Sequence, residues 1–140
     1  MKALSIRQPW CYFILHAGKD IENRSWPTRF RGRVLIHASK GMTANEWADA
    51  WGFAEGIEGH ELASPHAGEI ERGGIVGSVE IVDSVTHSDS PWFMGTYGFV
   101  LRNPVVLPFQ PYRGALGFFD VPNTNLTGSL KPEEASEHGN

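Results

Sequence analysis

The chain has 140 residues, 41% of them hydrophobic and 20% charged. That is enough for one packed core, excludes wholesale disorder and leaves little room for a second independent domain. No stretch reaches the roughly 18 uninterrupted apolar residues of a membrane span. Ala3-Leu4-Ser5-Ile6 is broken at once by Arg7, which does not read as a signal peptide. A lone cysteine, Cys11, can form neither an internal disulfide nor a zinc knuckle, and a cytoplasmic setting is expected. The net charge of −4 averages two unlike regions: residues 1–40 carry eight bases against Asp20 and Glu22, whereas residues 41–140 carry 4 bases and 14 acids. This asymmetry has two readings, a positive surface for a polyanion on an acidic body, or bases that pair with later acids in the fold.

In chain order, Ala3–Ile6 reads as a short strand, and Pro9 suits the first turn of a helix. Trp10, Phe13, Ile14 and Ala17 recur at helical spacing, and Gly18 supplies the stop, so Lys19 is presented at a sharp turn. Asp20–Arg24 reads as extended, and Ser25–Gly32 as a loop containing Pro27, Arg29 and Arg31. Val34–Ala38 reads as a buried strand. Thr43-Ala44-Asn45-Glu46 is a capping-box pattern opening a helix with Trp47, Ala50, Trp51 and Ala54 on one face. Residues 56–74 read as a long loop, Ile75–Val85 as a long strand bent at Gly77, and residues 86–95 as a second loop. Thr96–Leu101 and Leu116–Val121 complete the strands, with Val105–Leu107 as a short extra piece. From Pro122 onward the composition predicts a flexible tail. Five or six strands with two or three helices predict an α+β fold, a small, partly open β-barrel over residues 1–121.

The densest polar constellation lies within residues 5–40: Ser5, Arg7, Gln8, Trp10, Lys19, Glu22, Arg24, Trp26, Ser39 and Lys40. Tryptophans among cations suit an unstacked nucleobase, a flat apolar face with charge for phosphates, while Gln8, Glu22 or Ser39 could read a base edge. Trp10 reads equally as a core residue of the first helix, and Trp26 sits in a loop. Glu22 and Arg24, two apart on a strand, share a face. Lys19 with Glu22 is either a base in a desolvated pocket or part of a Lys–Glu–Arg salt-bridge network fixing the turn. Strand alternation turns Glu80 to solvent, Cys11 reads as buried and inert, and His60 and His66 have no metal-ligand spacing. Gly73-Gly74-Ile75 is not a phosphate loop, because no Gly-Lys-Ser/Thr follows. No cofactor or metal is expected.

Three segments carry a family resemblance: Ser5-Ile6-Arg7-Gln8-Pro9-Trp10, Gly18-Lys19-Asp20-Ile21-Glu22-Asn23-Arg24-Ser25-Trp26, and Arg31-Gly32-Arg33-Val34-Leu35-Ile36-His37-Ala38-Ser39-Lys40. In that order and spacing they resemble the ASCH domain, most closely the branch at the end of the eukaryotic activating signal cointegrator. The likeness runs on through residues 77–83, 89–93 and 117–121. It implies a PUA-like β-barrel with a cleft roofed by the first helix and the loop after it, and a role in RNA or DNA interaction. One bacterial branch consists of amidohydrolases acting on N4-acetylcytidine. Lys19 matches that branch's lysine, but Glu22 stands where it has threonine, and its downstream glutamate has no assigned counterpart here.

The expected function is therefore nucleic-acid binding, of RNA, DNA or a nucleoside derived from them, in a basic cleft near the first helix. Arg7, Gln8, Lys19, Glu22, Arg24, Trp26, Ser39, Lys40 and Trp92 are its candidate residues. The alternative is a metal-independent hydrolase of a modified nucleoside, or a ribonuclease, with Lys19 and Glu22 catalytic. A third possibility is a module whose basic patch meets an acidic protein.

Overall fold

A computed structural model describes residues 1–59, 63 and 65–122. Its elements, in order, are β1 (Lys2–Ile6), α1 (Trp10–His16), β2 (Ile21–Arg24), β3 (Gly32–Ala38), α2 (Ala44–Glu58), a 3₁₀ turn (Ala67–Glu69), β4 (Gly74–Val85), β5 (Tyr97–Pro111) and β6 (Phe118–Asp120). The six strands form one mixed sheet in the order β2-β5-β4-β3-β1-β6, curved into a half-barrel. Only β1 and β3 run parallel; every other pairing is antiparallel. With its helices, this is the small α+β, PUA-like barrel expected from the strand count and the motifs.

Strand alternation sorts the side chains onto two faces. Leu4 and Ile6 of β1 meet Val34, Ile36 and Ala38 of β3 inside the half-barrel, where Cys11 and Ile14 of α1 close the core. The opposite face carries Ala3, Leu35, Ile75 and Val121. Helix α1 buries Phe13 on its other side, in a cluster with Ile21, Ala50, Trp51, Ala54 and Trp92. So α2 packs on α1 through the apolar face its sequence predicts. The capping box is formed at its start: Thr43 accepts from the Glu46 backbone and Glu46 accepts from the Thr43 backbone.

Four elements differ from the sequence expectation. Pro9 is the N-cap residue of α1 and not part of its first turn. The loop expected over residues 56–74 is shorter, because α2 runs to Glu58, is capped by left-handed Gly59 and is followed by the 3₁₀ turn. Val105–Leu107 is no separate piece; β5 is continuous from Tyr97 to Pro111. Its prolines at 104, 108 and 111 are tolerated because β2 pairs only with Tyr97–Val100, leaving the rest of that side an open edge. Asn103, with φ 54°, takes up a register shift in the pairing with β4. Finally, Leu116 lies outside β6 and is 98% exposed. The expected tail, from Pro122 onward, lies outside the described residues apart from Pro122 itself, and so does His60.

Candidate functional site

The parallel pairing of β1 with β3 brings their C-terminal ends to one end of the sheet, together with the start of β4 and the end of β5. Helix α1 leaves from the same end. Its last turn closes with the Ala17 and Lys19 amides both donating to the Phe13 carbonyl, and Gly18 adopts φ 75°. This reversal folds the Lys19 side chain back beneath α1, as the glycine stop predicts.

Lys19 is 3% exposed. Its Nζ donates to Glu22 Oε1 at 2.8 Å and to the Ile21 carbonyl, and it lies 5.6 Å from the centre of the Trp10 ring. Glu22 is held from its other side by Arg24, whose Nη2 is 3.3 Å from Glu22 Oε2 and also donates to the Ser5 carbonyl at 2.7 Å. Arg24 Nε is buried with no acceptor among the described residues. The salt-bridge network is thus real, and it is also desolvated: two cations share one carboxylate in a buried position, leaving a net charge of +1. Because both oxygens of Glu22 are taken by cations, the carboxylate is a fixed counter-ion. Trp10, Lys19, Glu22, Asn23 and Met94 line a small open cavity of about 190 Å³.

Arg24 also lies over Trp26, 5.9 Å from its ring centre. Trp26 is half-buried, with Phe99 and Phe118 meeting it edge to face at 5.3 and 5.8 Å. Trp10, which bridges two core clusters, is half-buried as well. Asn23 fixes the 92–94 loop against β2, donating to the Trp92 carbonyl and accepting from the Met94 amide.

The other candidates are dispersed. Trp92 is 3% exposed and packed between Phe13 and Phe53, so its ring has no face open to a base. Gln8 is buried with both polar ends engaged: Nε2 donates to the Glu71 carbonyl and Oε1 accepts from the Tyr12 amide. It tethers the start of α1. Arg7 reaches across to Glu46 at 2.6 Å. Ser39 and Lys40 line a different and larger cavity, of about 720 Å³, with Ser5, His37, Tyr112 and Arg113. The constellation of residues 5–40 therefore divides into two sites, linked through Ser5, whose carbonyl serves Arg24 and whose hydroxyl lies 3.0 Å from His37 Nδ1.

The pairing reading of the charge asymmetry holds in part. Lys2, Arg7 and Arg31 pair with Asp120, Glu46 and Asp83 from later segments. Lys40 and Arg113 form no ion pair among the described residues.

Glu80 accepts a hydrogen bond from Asn103 and lines neither cavity. Cys11 is fully buried, with Sγ donating to the Ile6 carbonyl at 3.1 Å. Burial pushes its thiol well above the ordinary range, the Glu22 charge adds to this, and Lys19 opposes it. A thiolate is thereby disfavoured, as expected of an inert core cysteine. Sequence reasoning passed over Asn23, Met94, Tyr112, Arg113 and Gly114 as site residues. Asn23 lies inside the motif already quoted; the others come from distant loops and carry no local signal.

A family model for the ASCH domain matches residues 4–94, a span that includes every side chain of the Lys19–Glu22–Arg24 network. Activating signal cointegrator 1 of Homo sapiens is 27% identical over 115 residues, covering 72% of this chain and 19% of that protein. Its counterpart in Mus musculus is 26% identical over 110 residues, with the same coverage. The chain spans about one fifth of the length of these relatives.

Proposed function

The chain belongs to the ASCH domain family, and from that premise we propose that it binds nucleic acid through the cleft between α1 and β2. One observation carries the reading: a buried Lys19–Glu22–Arg24 triad of net charge +1 that opens, beneath Trp10, on a small cavity. In a low-dielectric setting such a charge acts on an electron-rich partner far more strongly than an exposed cation would. The carbonyl edge of an unstacked base is one such partner, and Asn23 lies on the cavity wall. Trp26, with Arg24 over its ring, offers an aromatic surface beside the cleft, and stacking one base contributes about 1–3 kcal/mol. Arg7, just before α1, is engaged by Glu46 and does not line this cavity. Gln8 and Trp92 serve this reading indirectly, by holding α1 and the 92–94 loop in place.

The locked state of Glu22 favours binding over hydrolysis. Both Glu22 oxygens already face cations, so the carboxylate is engaged as the counter-ion of Lys19 and Arg24.

The test is fluorescence anisotropy with single- and double-stranded RNA and DNA at two salt concentrations, comparing wild type with Trp26→Ala and Arg24→Gln. The expected result is binding that weakens with salt, by a log–log slope of about −0.7 to −0.9 per phosphate neutralised. Trp26→Ala should weaken it by roughly 5- to 150-fold, the equivalent of one stacking interaction. Absence of binding to all four polymers refutes the proposal. Turnover of N4-acetylcytidine by wild type, lost in Lys19→Met, would replace it with the hydrolase reading.

A further inference from the structure

The larger cavity lies on the opposite face of the β1–β3 pair from the barrel interior. Register places it there: Ser5 and His37 are direct partners across the parallel ladder, and their side chains share the face that carries Ala3 and Leu35. The segment after β5 crosses over this face and forms the far wall with Tyr112, Arg113, Gly114, Ala115 and Leu116.

His37 is 2% exposed, and its tautomer follows from its neighbours. Nε2 lies 2.7 Å from the Tyr112 carbonyl, which can only accept, so Nε2 carries the proton. Nδ1 then accepts from the Ser5 hydroxyl at 3.0 Å. The floor is a fixed, polar unit. Gly114 covers it so closely that a Cβ there would stand 2.5 Å from His37 Cε1 and 2.9 Å from Ser5 Oγ. Above this floor stand Ser39, Lys40 and Arg113.

The charge of the lining is one-sided. Among the described residues the lining includes Lys40 and Arg113 and no carboxylate, in a chain of net charge −4. Lys40 is exposed, packs its stem against Gly73, and its carbonyl accepts from Arg72, which adds a third cation to the rim. At about 720 Å³ the cavity falls within the range of roughly 300–1,000 Å³ typical of small-molecule sites, and a bare oxyanion would leave most of it empty. Tyr112, Ala115 and Leu116 supply apolar surface for the remainder of a ligand.

We propose that this cavity binds a phosphate monoester of mononucleotide size, its phosphate between Lys40 and Arg113 and its organic body against Tyr112 and Leu116. A near-dianionic phosphate at neutral pH matches two cations that form no ion pair among the described residues, and the hydroxyls below them. The same chemistry is offered by a free mononucleotide and by the phosphorylated end of a strand. The site is independent of the cleft between α1 and β2, so it stands whether or not that cleft binds a polymer.

The experiment is isothermal titration of the full chain with adenosine 5′-monophosphate, adenosine and inorganic phosphate. Wild type is compared with Lys40→Ala, Arg113→Ala and, as a charge control at the far end of β3, Arg31→Ala. All three replaced side chains are exposed, and circular dichroism confirms that each variant is folded. The monophosphate is expected to bind more tightly than adenosine, with inorganic phosphate competing. Lys40→Ala and Arg113→Ala should each weaken it by about tenfold or more, the loss of one charge-assisted hydrogen bond, and Arg31→Ala should not. His37 ring resonances should shift on addition of the monophosphate. Equal affinities for adenosine and its monophosphate, no binding, or equal losses in all three variants overturns the proposal. A parallel titration of one oligonucleotide with and without a 5′-phosphate assigns the source: a gain from the terminal phosphate identifies a strand end, and no gain identifies the free ester.

Discussion

Replacing Glu22 by Gln tests whether the triad is as tightly coupled as its geometry states. The Glu22 side chain is 10% exposed, and it neutralises Lys19, 2% exposed, at 2.8 Å and Arg24, 17% exposed, at 3.3 Å. Glu22→Gln keeps the shape and removes the charge, leaving buried Lys19 and half-buried Arg24 with neutral acceptors alone, the carbonyls of Ile21 and Ser5 and the new amide oxygen. Breaking a buried pair from one side costs about 3–5 kcal/mol, a large share of the roughly 5–15 kcal/mol that holds a domain folded. At roughly 4 °C per kcal/mol for a chain of this size, Tm falls by about 12–20 °C. Urea unfolding of wild type, Glu22→Gln and Lys19→Met/Glu22→Gln gives the comparison. The double variant removes the more deeply buried stranded charge, so it should regain stability over Glu22→Gln alone. The reasoning is refuted if Glu22→Gln costs less than about 1 kcal/mol, the range of exposed pairs, or if the double variant is the less stable of the two.

Two further outcomes follow from groups outside the triad. Native Cys11 should resist alkylation by iodoacetamide at pH 8 and react only after unfolding, because it is 0% exposed and burial disfavours its thiolate; labelling at the rate of a free thiol would contradict this. Glu46 is held below the ordinary glutamate range, first by the Arg7 hydrogen bond and then by the Thr43 amide. A lowered folded-state value means that its stabilising effect is complete above the ordinary value and is lost as pH falls through the folded one. The Tm difference between wild type and Glu46→Gln should therefore be present at pH 7 and close as pH drops below about 4.3. A difference that stays constant from pH 7 to 3 argues against it.

Much of the fold was legible because its signals are local. The Thr43–Glu46 capping box, the Gly18 stop, the continuous apolar Val34–Ala38 run and the alternating Ile75–Val85 run each specify their own conformation within a few residues. The misread pieces are those where distant partners decide. Whether prolines 104, 108 and 111 break a strand depends on whether that side of β5 is paired, and β2 is too short to reach them. Residues 56–74 lack apolar periodicity, so the extent of α2 was set by its packing on α1 and by Gly59.

The sequence by itself determined that Lys19, Glu22 and Arg24 act together, since a helix stop followed by a two-residue strand alternation brings them to one face without help from the rest of the chain. It could not choose between a base in a desolvated pocket and a salt-bridge network, and the structure shows the network, with Lys19 and Glu22 buried in it. Only the tertiary structure separated Ser39 and Lys40 from that cluster, although they follow it within about twenty residues. Side chains on one strand alternate between two faces of a sheet, so neighbours in a motif can belong to opposite sides of the molecule. The partner that completes the second cavity, Arg113, arrives from the end of β5, through a strand pairing in which burial is a property of the whole sheet and not of any segment.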